Sequence, residues 1–319
     1  MARLGVYVQP HGATIASSIE QARIADGMGV DSIWVTQLAN EEDGFVLLSA
    51  YAGVTSRARL GTGVIPIYSR HPTALVQAVA TLDTLSSGRA MVGLGVGTEL
   101  TVEWMWGLRL TRPARAMREY VAILRESLET GRSQFEGEHF TARWRYTATH
   151  RGEVPIFLAA LGPRMLELAG EVADGVMPWL TPPGYLAEHV LPAVARGRAR
   201  AGKDLRGFEI ALPLPVCLTD DRGSGRDVFR KNILDFYARL PPYRRVFVSS
   251  GMGDLGLGRM PDEAVDCLGG FGDEDVLRRI VAEYRAAGVT LPLISPYPDG
   301  TGALRFQEVL EAVCDERGG

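Results

Sequence analysis

Residues 59–99 leave the chain little freedom, because strand, turn, helix, turn and strand follow one another there with no residues to spare. Leu60 to Ile67 is a β-branched run interrupted by Gly61, Gly63 and Pro66. That is the pattern of a buried strand whose far end bends or is closely approached by another group. Pro72 opens a helix in which Leu75, Val76, Val79, Leu82 and Leu85 recur at helical spacing, and Ser86, Ser87 and Gly88 stop it. The next strand, Ala90 to Leu94, runs into Gly95, Val96, Gly97 and Thr98, small residues that leave backbone N–H groups open to a ligand beyond the strand's carboxyl end. This is a βαβ unit, and its ligand side is the C-terminal edge of the sheet.

The same alternation extends along the chain. Residues 4–8, 32–36, 155–160, 175–178, 208–218 and 291–295 read as further strands, with amphipathic helices at 15–28, 44–55, 112–130, 163–172, 184–201, 273–287 and 303–314. Two stretches depart from it. Residues 131–153 hold a hairpin excursion around Phe135 to Phe140, and 246–268 form a glycine-rich insertion. Eight β and α units in one domain spanning 1–319 predict an α/β fold, a (β/α)8 TIM barrel with insertions.

With 46% apolar and 23% charged residues, the chain can bury a large core. A net charge of −4 and a pI near 5.8 supply no basic field for nucleic acid. The chain enters a strand at once, and no apolar run approaches the roughly 18 residues of a membrane helix, so a cytoplasmic protein without membrane partners is expected. Cys217, Cys267 and Cys314 are odd in number and far apart, which fits reduced thiols. The five histidines lack paired ligand spacing, so no metal is expected, and Gly95-Val96-Gly97 lacks the third glycine of a dinucleotide fingerprint. Only Lys203 and Lys231 are lysines among 34 basic residues, a bias of G+C-rich genomes.

Five blocks in order carry a resemblance: Asp31 to Val35; Gly61 to Val64 with Arg70-His71-Pro72; Leu82 to Arg89; Gly93 to Gly97; and Ala159 to Met165 leading into Leu168 to Gly175. Together they resemble the luciferase-like monooxygenase superfamily, most nearly its branch that uses the deazaflavin coenzyme F420, found in G+C-rich actinobacteria among others. The resemblance implies a bacterial-luciferase-like barrel with a flavin-type ring across its C-terminal mouth. It implies a non-prolyl cis peptide at Gly63-Val64 behind the ring, and Gly97 and Thr98 beside the ring or its ribityl chain. Backbone N–H groups of Ala160, Leu161 and Gly162, with Pro163 opening a helix, would take the coenzyme's phosphate, and Arg164 would add charge. A homodimer is implied too, and Val46, Leu47, Leu48 and Tyr51 place apolar residues on the second helix where a partner copy would sit.

Departures from the family pattern bear on mechanism. Relatives that oxidise alcohols or sugar phosphates carry an acid and a histidine after the strand-two tryptophan, where this chain has Gln37 and Leu38. Gln37 retains an amide for the ring, but Leu38 moves no proton. Glu99 is the nearest carboxylate to the mouth and serves as proton donor if buried, with Tyr7 in reserve; the alternative for Glu99 is an ordinary solvated side chain. His71 is read as a helix cap, Trp34 as core, and Trp104, Trp106 and Trp144 as walls of a substrate pocket. Three readings stand open: an F420-dependent oxidoreductase reducing an activated C=C or C=N bond of a small organic molecule; an FMN-dependent monooxygenase, which alone needs a flavin reductase as partner; and a coenzyme-binding protein without catalysis.

Overall fold

The computed structural model describes residues 3–9, 14–253 and 259–314. Its centre is a closed barrel of eight parallel strands: β1 (Gly5–Tyr7), β2 (Ser32–Val35), β3 (Arg59–Thr62), β4 (Ala90–Gly95), β5 (Ile156–Ala159), β6 (Gly175–Met177), β7 (Glu209–Leu218) and β8 (Leu291–Pro296). Each pairs with the next, and β8 pairs with β1 to close the ring. Helices α1 (Ile15–Met28), α2 (Gly44–Ala52), α3 (Pro72–Leu85), α4 (Pro113–Thr130), α5 (Pro163–Val172), α6 (Leu191–Arg200), α7 (Glu274–Ala286) and α8 (Phe306–Cys314) surround it. The TIM barrel expected from the alternation is the fold. Among the described residues no helix is long and apolar enough to cross a membrane.

Side chains alternate across the strands and so divide the core. Val6, Ile33, Val92 and Leu158 face outward under the helices, whereas their neighbours Tyr7, Trp34, Met91 and Phe157 fill the barrel's interior with Met177, Leu291 and Leu293. Trp34 is fully buried, packs perpendicular to Phe157 with ring centroids 5.2 Å apart, and donates its indole N–H to Ser32 at 2.8 Å. It is core, as its sequence context suggests. Gly61 on the next strand is required for it, since a Cβ there would lie 2.6 Å from the Trp34 ring.

Pro213 and Pro215 sit inside β7, where a missing N–H would ordinarily break the ladder. Odd-numbered residues of β7 aim their N–H groups at the β6 side: Glu209 donates to Asp174 O and Thr219 to Gly272 O. On that side β6 pairs only with Glu209 and Ile210, and a short strand at Gly270–Gly272 takes over at Val216. Both prolines fall in the gap between these partners, so neither removes a bond the sheet needs. The 246–268 stretch is more ordered than expected, with helices at Pro241–Ser249 and Asp262–Asp266 before that strand, although its residues 254–258 lie outside the described residues.

The foot of the barrel is held by carboxylates that accept the first N–H groups of the strands. Asp31 takes Leu4 N–H at 2.8 Å ahead of β1, Asp83 takes Ala90 N–H at 3.2 Å in β4, and Asp174 takes Ile156 N–H at 2.8 Å in β5. Asp26, buried on α1, accepts from Ser56, Arg57 and Ala58 at 2.7–2.9 Å and fixes the turn into β3. Arg89 completes this turn by donating to Ala58 O and Thr55 O. The hairpin Arg132–Glu136 and Thr141–Arg145 climbs the outer wall beside α4. Buried Glu119 on α4 holds its tip, accepting from Glu138, His139 and Phe140 at 2.7–3.2 Å.

Two expectations change here. Trp144 does not wall a pocket at the mouth: it lies at the hairpin's base and bonds Ser127 at 3.3 Å, near the end of α4, which has run back to the foot. Leu47, Leu48 and Tyr51 are buried beneath α2 in this chain's own core, and only Val46 is exposed. Of these four residues the α2 face offers only Val46 to a second copy, and the expected homodimer rests on the resemblance.

Burial penalises the charge on Asp26, but its three backbone donors and the Ser56 hydroxyl outweigh that and hold its pKa below 3.8; Glu119 is likewise lowered by its backbone donors and Arg115 despite burial. A carboxylate whose folded pKa lies below its unfolded value stabilises the fold above the unfolded value, and the contribution is lost as pH falls through the folded one. Replacing Asp26 with Asn should therefore cost about 2 kcal/mol at pH 7 in urea unfolding and flatten the loss of stability below about pH 4. An acid limb as steep as that of the unmodified protein would contradict the assignment.

Candidate active site

At the C-terminal edge, β3 ends in a Gly63–Val64 peptide that is cis, after which Ile65–Pro66 rejoins the sheet beside β4. Neighbouring elements pin this turn. The Gly63 carbonyl accepts from the Tyr7 hydroxyl at 2.9 Å and from Thr36 Oγ1 at 3.1 Å, while Gly63 N–H donates to Val35 O at 2.7 Å. A Cβ on Gly63 would lie 2.1 Å from the Tyr7 oxygen, and one on Gly95 would lie 2.7 Å from Val64. Tyr7, Gly63, Val64 and Gly95 thus form one packed unit that only glycine at 63 permits. Tyr7 is enclosed, and burial raises its pKa, helped by the nearby Tyr297 and Tyr237 hydroxyls. It stays a neutral donor rather than a proton source.

The other expected residues surround this unit with varied roles. Gly97 takes φ +76°, and Thr98 caps the following helical turn, its Oγ1 accepting from Thr101 N–H at 3.2 Å. Gln37 turns its amide away from the mouth: Oε1 accepts Gly44 N–H at 2.8 Å at the start of α2, and Nε2 donates to Leu38 O at 3.3 Å. Ala160, Leu161 and Gly162 follow β5, and Pro163 opens α5 with no side chain capping its N-terminus. Glu99 is exposed, so the burial that a proton-donor role needs is missing. Arg164 is exposed too. It lines a groove of about 650 Å³ between α4 and α5 on the outer wall, with Arg118 paired to Glu171 and Arg200 paired to Glu167.

His71 caps α3, with Nδ1 accepting Thr73 N–H at 3.3 Å. Trp104 projects into solvent with 77% of its surface exposed, while Trp106 is half-buried at the end of the helical turn 100–105.

The sequence reading missed a cluster of aromatics over the β6–β8 side of the mouth. Trp179 follows β6, Tyr297 follows β8, and Tyr237 and Tyr243 come from the segment between β7 and β8. Tyr237 lies edge-on to Tyr243 at 4.7 Å and to Trp179 at 6.1 Å, and Tyr297 is edge-on to Phe229 at 5.4 Å. All four residues keep some accessible surface. Protein nonetheless surrounds the hydroxyls closely enough that burial raises the pKa of Tyr237, Tyr243 and Tyr297. Trp179 and Tyr297, each within two residues of a strand's carboxyl end, carried a positional signal. Tyr237 and Tyr243 carried none.

Two observations show that this rim fits a bound coenzyme. The Tyr68 hydroxyl, two residues beyond Pro66, is shielded from solvent without a hydrogen-bond partner among the described residues. The uncapped start of α5 leaves backbone donors facing outward beyond β5.

Comparison with known proteins agrees with the geometry. The chain is 33% identical to a putative coenzyme F420-dependent oxidoreductase of Mycobacterium tuberculosis, across 86% of this chain and 89% of that one. In structure it is similar to the coenzyme F420-dependent tetrahydromethanopterin reductase of Methanopyrus kandleri, with a TM-score of 0.82 and 23% identity over 99% of this chain and 98% of that one. It is also similar to an F420-dependent secondary alcohol dehydrogenase in complex with an F420-acetone adduct, with a TM-score of 0.81 and 20% identity over 98% and 99%. The family model of the luciferase-like monooxygenases matches residues 1–291, and the chain belongs to that family.

Proposed function

We propose that the protein is an F420-dependent oxidoreductase that works in the reductive direction on an activated double bond of a small organic substrate. F420 enters from the relative that shares a third of its residues across most of both chains. One observation of the mouth supports the direction. The side chains that converge there are neutral phenols and small residues, while the buried carboxylates among the described residues, Asp26, Asp83 and Glu119, stand at the foot or on the outer wall. Alcohol oxidation needs a base to remove a hydroxyl proton during transfer, and Leu38 stands where such relatives keep one; reduction needs a proton only after the hydride has arrived.

When bound, the reduced deazaflavin supplies the hydride. The chain's own residues do the rest. Tyr7, Gly63 and Val64 would back the ring, Gly97 and Thr98 would line its side, and the backbone of 160–162 at the start of α5 would hold the phosphate. With Glu99 exposed, the closing proton comes from solvent at the open mouth.

Absorbance titration with F420 and with FMN tests the coenzyme, and F420 should bind at least tenfold more tightly; preference for FMN would replace this reading with the monooxygenase one. Gly63→Ala, with its Cβ driven into the Tyr7 hydroxyl, should weaken F420 binding by more than about tenfold. Glu99→Gln should keep turnover within about threefold, since a buried general acid would be worth about 100-fold. A 100-fold loss would return Glu99 to the proton-donor role.

A further inference from the structure

We propose that residues 98–111, between β4 and α4, are a lid that pivots at Gly97 and Arg112 and lays the Trp104 side chain onto the mouth when the coenzyme is bound. This rests on the reading of the mouth as a coenzyme site and goes further by naming the element that closes it.

The segment is bonded to itself. Val102 N–H donates to Thr98 O at 2.8 Å, Trp106 N–H to Thr101 O at 3.2 Å, Gly107 N–H to Glu103 O at 3.1 Å and Leu108 N–H to Val102 O at 3.0 Å. Side chains complete it: Thr98 Oγ1 accepts Thr101 N–H at 3.2 Å, and Glu103 Oε1 accepts Leu110 N–H at 3.0 Å. No hydrogen bond, ion pair or ring contact joins 98–111 to the other described residues. Val102 is its one buried side chain, and it lies against the pivot: a Cβ added to Gly97 would stand 3.1 Å from Val102 Cγ2 and 3.7 Å from Pro66 Cβ. A turn that holds its own shape and is anchored only beside its pivot moves as one body.

Both ends have the backbone of a pivot. Gly97 takes φ +76°, which glycine adopts freely, whereas Arg112 takes φ +45°, where a side chain is strained. Glu138 at the hairpin tip holds Arg112 there, its two oxygens accepting from Nη1 at 3.0 and 3.1 Å. Strain of this kind collects at segments that switch between two arrangements.

The exposed side of the turn and the place of its base say what it covers. Ten large apolar side chains are exposed among the described residues, and four of them, Leu100, Trp104, Met105 and Leu108, fall within nine positions here. A patch of that density calls for a covering surface. Its base leaves the carboxyl end of β4 directly after Gly95, where an added Cβ would lie 2.7 Å from Val64 in the packed unit at the mouth. Rotation at Gly97 therefore swings the patch about a point of the coenzyme site itself. Closed, the lid keeps bulk water from ring and substrate while the hydride passes. Lifting it readmits the water that supplies the closing proton.

Fluorine NMR of protein labelled with fluorotryptophan tests this, with the Trp104 signal identified by its loss in Trp104→Phe. In the free protein that signal should carry the full solvent isotope shift of an exposed ring. Saturation with F420, or with FMN if FMN is what binds, should remove most of that shift while the mass by sedimentation stays unchanged. Trp104→Ser should weaken coenzyme binding about tenfold. The proposal is overturned if the ring stays fully exposed in the saturated protein, if Trp104→Ser binds as tightly, or if pairing of two copies already covers the ring in the free protein. Pivoting is read without coenzyme: amide relaxation dispersion of the free protein should give 98–111 one shared exchange rate on the microsecond-to-millisecond scale. Absence of that exchange overturns the lid. Failure of both coenzymes to bind would sink the coenzyme reading alone, and the relaxation data would still decide the lid.

Discussion

Closure of the sheet through β7, which pairs with β6 along its first residues and with β8 along most of the rest, sets the position of every group at the mouth. A closed ring of parallel strands leaves no edge, and it points all eight carboxyl ends the same way, so residues far apart in sequence meet on one rim. The unpaired stretch around Pro213 and Pro215 is where this ring is least bonded on one side. The segment after β7 leaves the barrel beyond Leu218, and its return strand at Gly270–Gly272 brings the chain that supplies Tyr237 and Tyr243 back to the sheet.

The two ends of the barrel use opposite chemistry. At the foot, the carboxyl oxygens of Asp26, Asp31, Asp83 and Asp174 accept backbone N–H groups, and Arg89, Arg125 and Arg151 tie these turns together. At the mouth, the enclosed groups are hydroxyls that burial keeps neutral. Charge therefore stabilises the scaffold at the foot, and the reacting end keeps hydroxyls that burial holds neutral. The outer groove between α4 and α5 is roomy, yet its arginines are largely spent on Glu119, Glu167 and Glu171.

What could be read from the sequence was what depends on local periodicity. The βαβ unit, the eight repeats, the hairpin and the buried faces of α3 and α4 follow from spacing alone. Several motif blocks that carry the family resemblance are scaffold: Asp83 and Arg89 belong to the foot, and His71 is a cap. The roles of Gln37, Glu99 and Trp144 were not legible, because each is decided by which way a side chain turns in three dimensions. Gln37 looks inward in sequence but satisfies Gly44 N–H. Tyr237 and Tyr243 come from the helical segment between β7 and β8, whose helices can be read from spacing but whose place over the mouth is decided only by the fold.

Hydrogen–deuterium exchange with and without F420 tests the division of labour most directly, since it reports where the coenzyme sits without requiring a substrate. The account predicts slowed exchange at residues 36–38, 63–67, 95–99 and 160–166, with residues 114–122 of the outer groove unchanged. Slowed exchange along that groove, with none around Gly63 and Gly97, would contradict it.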